Sequence, residues 1–212
     1  MTEKKLVLYG DVVDSRKIKK RNRFEKNLKK SIKEINKYYN GSFESKLQII
    51  KGIDELGGVL GRIDDIYNIL IDLNEKIHKS EIRLVVVYDY IDIGFGKQNI
   101  SEMDGEAFHK ANKLLKEIKK QDFIFGLCLN RGEFDKILEG NINLLYFIRK
   151  DRTKKQNKAI DYYEEYEKQE KAALKLGIKQ QSLSKLLQRA RYSQIKKLEE
   201  NLNSALEKIS LL

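Results

Sequence analysis

The sequence predicts an α+β protein: a domain of alternating strands and helices followed by an all-helical basic region. Three observations carry that reading. β-Branched runs alternate with amphipathic segments from Leu6 to Ile148, the chain beyond residue 158 has helical periodicity only, and 41% hydrophobic residues among 212 suffice to bury one ordinary core plus a small appendage.

Leu6 to Val13 reads as a buried strand that ends in polar residues. Phe24, Leu28, Ile32, Ile35 and Tyr39 then recur at helical spacing, and Asn40-Gly41 ends that helix. Phe43 to Lys51 alternates as a strand, with Leu56 to Leu60 as its hairpin partner across Gly52 to Glu55. Ile63, Ile66, Tyr67, Leu70, Leu73 and Ile77 mark a second helix, and Ile82 to Ile93 is a β-branched strand. The order βαββαβ is the split βαβ, or ferredoxin-like, arrangement: an antiparallel sheet with helices on one face. Gly94 to Asp104 reads as a loop, Gly105 to Lys119 as a third helix, Phe123 to Leu129 as another strand and Phe134 to Ile148 as a helix. The polar, basic segment RKDRTKKQNK, residues 149–158, lacks periodicity and sets the predicted boundary between domains 1–148 and 149–212.

Composition excludes several classes. With 35% charged residues and no long apolar run there is no transmembrane candidate, and Leu6 to Tyr9 is too short for the core of a signal peptide. Cys128 is the only cysteine, so neither an intrachain disulfide nor a cysteine metal cluster forms, and the expected home is the reducing cytoplasm. Net charge is +11, and residues 149–212 contribute 16 Lys+Arg against 9 Asp+Glu, leaving 27 against 23 for residues 1–148. That excess points to a polyanionic partner for the last third.

Gln169 to Gln188, QEKAALKLGIKQQSLSKLLQ, has the residue pattern of a helix-turn-helix. Ala172, Leu176, Ile178, Leu183 and Leu186 are its apolar positions, Ala173 is small where the helices touch, and Gly177 sits where the turn needs a left-handed backbone. Lys179, Gln180, Gln181, Ser184, Lys185 and Gln188 then face outward, able to bond phosphates and base edges of double-stranded DNA, with Arg189 and Arg191 adding phosphate contacts. An ordinary helical hairpin with a glycine stop has the same apolar spacing. Ile195, Leu198, Leu202, Leu206 and Ile209 form a stripe that serves either dimerisation or packing, and a homodimer is expected because one short recognition helix reads few base pairs.

Three further segments are candidates for chemistry. GDVVDSR, Gly10 to Arg16, places a carboxylate at a strand end before a polar turn, and KGIDELGG, Lys51 to Gly58, adds the hairpin acids Asp54 and Glu55. In a ferredoxin-like sheet the first strand lies beside the third, so Asp11, Asp54 and Glu55 converge at one end, a set of hard oxygen donors suited to Mg²⁺. The plainer alternative is a helix cap and two solvated hairpin residues. In MDGEAFHKAN, Met103 to Asn112, Asp104 can cap a helix; His109 and His78 have no fixed partner and receive no role. If Asp11 and Asp54 converge, Arg16 can grip the phosphate of a nucleotide or other ligand as a fork, and Asp104 is a further ligand-binding position if it lines the same cleft.

In this order the three segments resemble the SatD family, which combines GD-x-V-x-SR, a GDE-containing hairpin and a DG-x-A-x-x-x-A helix start. GDVVDSR and DGEAFHKA match closely. The hairpin departs, with Ile53 at the expected glycine; the strand after Arg83 lacks the expected glycines, and Asn112 replaces an expected arginine. SatD-like N-terminal domains are in turn similar to the class III nucleotidyl cyclase and palm-type polymerase fold. That similarity implies Asp11 and Asp54 as Mg²⁺ positions, whereas the helix-turn-helix implies a DNA-binding regulator whose palm-like domain senses a ligand or dimerises.

Overall fold

The computed structural model describes residues 3–77, 80–94, 96 and 99–209, which leaves His78 outside the described residues. It divides into two compact units, one reaching to Asn143 and including the chain from Asn203 onward, the other spanning Leu144–Leu202.

The first unit holds β1 (Glu3–Val12), α1 (Arg21–Tyr38), β2 (Phe43–Lys51), β3 (Glu55–Leu60), α2 (Ile66–Lys76), β4 (Ile82–Ile91), α3 (Glu106–Lys120), β5 (Phe125–Cys128) and the first part of α4 (Glu133–Lys150). The sheet order is β2-β3-β1-β4-β5. Its first four strands pair antiparallel in the expected ferredoxin-like order. The fifth pairs parallel to β4, so the sheet is mixed rather than antiparallel. A parallel neighbour requires a crossover, and α3 supplies it.

That crossover also corrects the expectation of helices on one face. Val7, Tyr9, Val59, Val85 and Val87 pack against Ala107, Phe108, Ala111, Leu115 and Ile118 of α3. Their alternates Leu6, Leu8, Leu84 and Val86 point the other way and are just as buried, on the face that α1 and α2 cover. Consecutive apolar residues in β1 and β4 are the pattern of strands buried on both faces. α3 comes close to the sheet because its inner positions are small: Ala107 and Ala111 are fully buried, and a Cβ on Gly105 would lie 2.7 Å from both the Asp92 nitrogen and the Tyr90 oxygen.

The outer edge of β5 is occupied by side chains of α4. Asn143 Oδ1 accepts from the Ile124 and Phe125 amides at 2.9 and 3.1 Å, Glu139 Oε2 from Leu127 at 2.9 Å, and Asp135 Oδ2 from Leu129 and Arg131 at 2.8 and 3.1 Å. Four residues of helix advance about 6 Å and two of strand about 6.6 Å, so the two periods stay in step over three rungs.

The second unit contains α5 (Lys154–Tyr166), α6 (Gln169–Leu176), α7 (Gln180–Arg189) and most of α8 (Tyr192–Glu207). Thr153 and Gln156 form a capping box at the start of α5, within the segment that shows no apolar periodicity. Ala159, Ile160, Ala172, Ala173, Leu183, Leu187, Ala190 and Tyr192 make the core, with Leu176, Ile178 and Leu186 partly buried against it. Tyr163 and Tyr192 meet edge-on at 5.5 Å between ring centroids. Gly177 has φ 68°, and the Ile178 amide reaches back to the Ala173 carbonyl at 3.0 Å, closing α6 before the chain turns into α7. Along the predicted stripe Ile195, Leu202 and Leu206 are buried, Ile209 is half-buried and Leu198 is exposed. Among the described residues no helix is long and apolar enough to cross a membrane.

Candidate functional site

Three places hold the residues that the sequence singles out, two in the first unit and one in the second. At the end of the sheet, Asp11 pairs across β1–β3 with Glu55 and across β1–β4 with Arg83, and the Val12 amide donates to the Asp54 carbonyl at 2.9 Å. The topology thus brings Asp11, Asp54 and Glu55 to one strand end. Each carboxylate already has a donor from this chain. Lys119 of α3 forms an ion pair with Asp11 Oδ2, the Ser15 hydroxyl donates to Asp54 at 3.2 Å, and the Tyr9 hydroxyl donates to Glu55 at 3.1 Å.

Burial sets the electrostatics of this cluster. Asp11 is 8% exposed, and its second oxygen, Oδ1, is buried with no hydrogen-bond partner. Tyr9 is pushed up to about 12, first by burial and then by the charge and hydrogen bond of Glu55, with the Asn112 side chain pulling the other way. The acids do not fit a divalent metal pair as they stand, because an ammonium group neutralises the carboxylate that such an ion needs. Among the described residues no three His, Cys, Asp or Glu side chains are disposed to hold a metal ion.

Arg16 lies in a 3₁₀ turn, Ser15–Lys17, directly after this strand end and is exposed. Asp104 is elsewhere. It bridges Ile93 beyond the far end of β4, ten residues along from Arg83, which is roughly 33 Å of strand. Its carboxylate accepts from the Gly105 amide at 2.8 Å, so it shapes the start of α3, and His109 lies 3.8 Å from it on the surface. Asp11, Asp54 and Asp104 therefore share no cleft.

In the second unit, Lys179, Gln180, Gln181, Ser184, Lys185, Gln188, Arg189 and Arg191 are all exposed. Lys179 is the N-cap of α7 and makes no side-chain cap bond, while Leu183 and Leu187 hold the opposite face in the core. Leu187 takes a buried place beside the partly buried Leu186, because α7 presents positions four apart, 183 and 187, to the centre of the core.

Sequence reasoning missed Lys119, Tyr9 and Ser15. Lys119 had a legible signal: it follows Ala111 and Leu115 at steps of four, on the stripe of α3 that faces the sheet. From that stripe the half-exposed Lys119 side chain reaches Asp11 at the sheet end.

Comparison with known proteins bears on the lineage. No curated protein matches the sequence. A solved structure of a bacterial light-regulated adenylyl cyclase is similar at a TM-score of 0.43 and 10% identity, over 60% of this chain and 43% of that one. The chain thus spans less than half the length of that cyclase. The profile of the SatD family matches residues 5–209, nearly the whole sequence including both units, and the chain belongs to the SatD family.

Proposed function

We propose that this protein binds double-stranded DNA through α6 and α7 and acts as a regulator of transcription, with the sheet-bearing unit as its sensing or dimerising platform. The observation that carries the reading is the face of α7. Eight polar or cationic side chains are exposed there and on its flanks, their opposite face is anchored in a small core, and the turn before them is set by Gly177. Such a helix presents its residues as a unit to the major groove. The local excess of 16 Lys+Arg over 9 Asp+Glu in residues 149–212 favours the same partner. One helix of this length reads few base pairs, so the DNA-bound form is a homodimer on paired half-sites.

The test is fluorescence anisotropy of the full chain with duplex DNA across a salt series. Log affinity falls linearly with log salt, and Lys179→Ala with Lys185→Ala flattens the slope by roughly 0.9 per lost phosphate contact. Folding stability of that variant stays within about 0.5 kcal/mol of wild type, since both side chains are solvated. Affinity and slope unchanged by the substitutions would reject the reading.

A second reading, a Mg²⁺-dependent nucleotidyl cyclase or nucleotidyltransferase at Asp11 and Asp54, is favoured by the orphaned Asp11 Oδ1 alone. It requires Lys119 to release Asp11 before a metal enters.

A further inference from the structure

The charge of the first unit is concentrated in one segment. Residues 14–38 hold 11 Lys+Arg against 3 Asp+Glu, net +8, in a span of 25 residues that is denser in positive charge than the C-terminal region. The remainder of residues 1–148 is net negative, with 16 Lys+Arg against 20 Asp+Glu, so a sum over the whole domain conceals the cluster.

The fold arranges this charge on a surface. α1 buries Phe24, Leu28, Ile32 and Ile35, and the opposite side of the helix carries Arg23, Lys26, Lys30, Lys33 and Lys37 at alternating steps of three and four. All five are exposed, in a line about 21 Å long. Lys30 lies 3.8 Å from Glu34, which is itself held at 2.9 Å by Lys76; the other four make no ion pair among the described residues. At the head of the helix a groove of about 1070 Å³ is lined by Lys19, Lys20 and Arg23, by Lys17, which pairs with Asp14 at 3.0 Å, and by Glu81. The first turn of α1 contains no acidic residue. Cations gathered at the positive end of a helix repel it and one another, an arrangement that a bound polyanion relieves.

We propose that the α1 face and the groove at its head form a second phosphate-binding surface, which takes the phosphodiester backbone of a nucleic acid without reading its sequence. A line of five cations fits a polymer better than a small anion, for which the cations would converge on one point. Nucleic acid fits better than a membrane because the apolar side of α1 is buried in the core, and the large apolar side chain that the helix exposes is Tyr38, at its last residue and off the line of cations. This surface stands apart from the α6–α7 reading, and either can hold without the other.

The experiment uses the full chain, a long mixed-sequence DNA duplex and a salt series, with two sets of substitutions measured side by side. Replacing Arg23, Lys26, Lys30, Lys33 and Lys37 by Gln lowers the salt slope by roughly 2 or more, at 0.9 per lost contact. Lys179→Ala with Lys185→Ala leaves that contribution in place. A wild-type slope in the α1 variant overturns this inference and leaves the α6–α7 reading standing; a reduced slope there, with no change in the α7 variant, supports this inference and removes the other. Circular dichroism checks folding, and should the five-fold variant not fold, Lys26→Gln with Lys33→Gln carries the test with a fall of roughly 1 to 2. Vesicles rich in phosphatidylserine form a further arm. Loss of vesicle binding in the α1 variant with unchanged DNA binding overturns the assignment to nucleic acid.

Discussion

At the end of the sheet, Asp11, Asp54 and Glu55 each hold a donor from their own chain, whereas on α7 and its flanks eight polar side chains hold none among the described residues. The difference separates two uses of a polar group. A buried carboxylate with an internal partner belongs to the stability of the fold, and its removal is felt there first. A solvated cation without a partner contributes little to stability and is available to a ligand.

The largest effect expected from this contrast is at Lys119. Lys119→Ala leaves Asp11 buried without its counter-charge and costs about 2 kcal/mol, less than the 3 to 5 of a fully buried pair because the Lys119 side chain is 43% exposed. Urea unfolding measures it. The same variant sharpens the enzyme alternative: Mg²⁺ that restores its stability, with no effect on wild type, would show that the acids accept a metal once the ammonium is gone. In the second unit, Gly177→Ala costs about 1 to 2 kcal/mol through its left-handed φ of 68° alone, since no atom lies near the added methyl group. It also lowers DNA affinity by misplacing α7, which anisotropy would detect; a stability loss with full affinity would detach the turn from binding.

The smallest effect is at Glu139. Burial raises its pKa above the ordinary 4.5, against the pull of the Leu127 amide and with the help of Glu117 and Asp135. A raised acid makes ionisation costlier in the folded state, so the penalty is absent below pH 4.5, grows as pH rises through the folded value and is complete above it. Glu139→Gln, which keeps an acceptor for Leu127, therefore stabilises at pH 7 by under about 1 kcal/mol. The gain disappears in acid. A pH series of unfolding midpoints that showed the opposite trend would overturn the assignment of burial as the dominant cause.

Much of this was readable in the chain. In the first unit apolar spacing located each long strand and helix within a few residues of its observed bounds, whereas α5 was not located, and the βαββαβ order implied that Asp11 would meet the hairpin acids. Spacing carries no pairing direction, so the parallel β5 and the second helical layer were not foreseen, although the unbroken apolar runs of β1 and β4 already indicated burial on both faces. Thr153 and Gln156 were a capping box in plain view, hidden because the segment was judged by apolar periodicity alone. The stripe from Ile195 to Ile209 shows the converse limit, since identical spacing serves packing or association. Charge summed by domain failed for a similar reason, since the acids of the sheet-bearing unit cancelled the cations of α1.

With Asp135, Glu139 and Asn143 occupying the outer amides of β5, that margin of the sheet offers no template to a foreign strand. The opposite margin, β2, pairs with β3 alone among the described residues and is irregular, with register shifts along its length. A fibre built by strand addition needs two open margins on every copy, one to receive and one to offer. Among the described residues this sheet leaves one margin for strand addition, β2, and margin-to-margin pairing through it joins two copies.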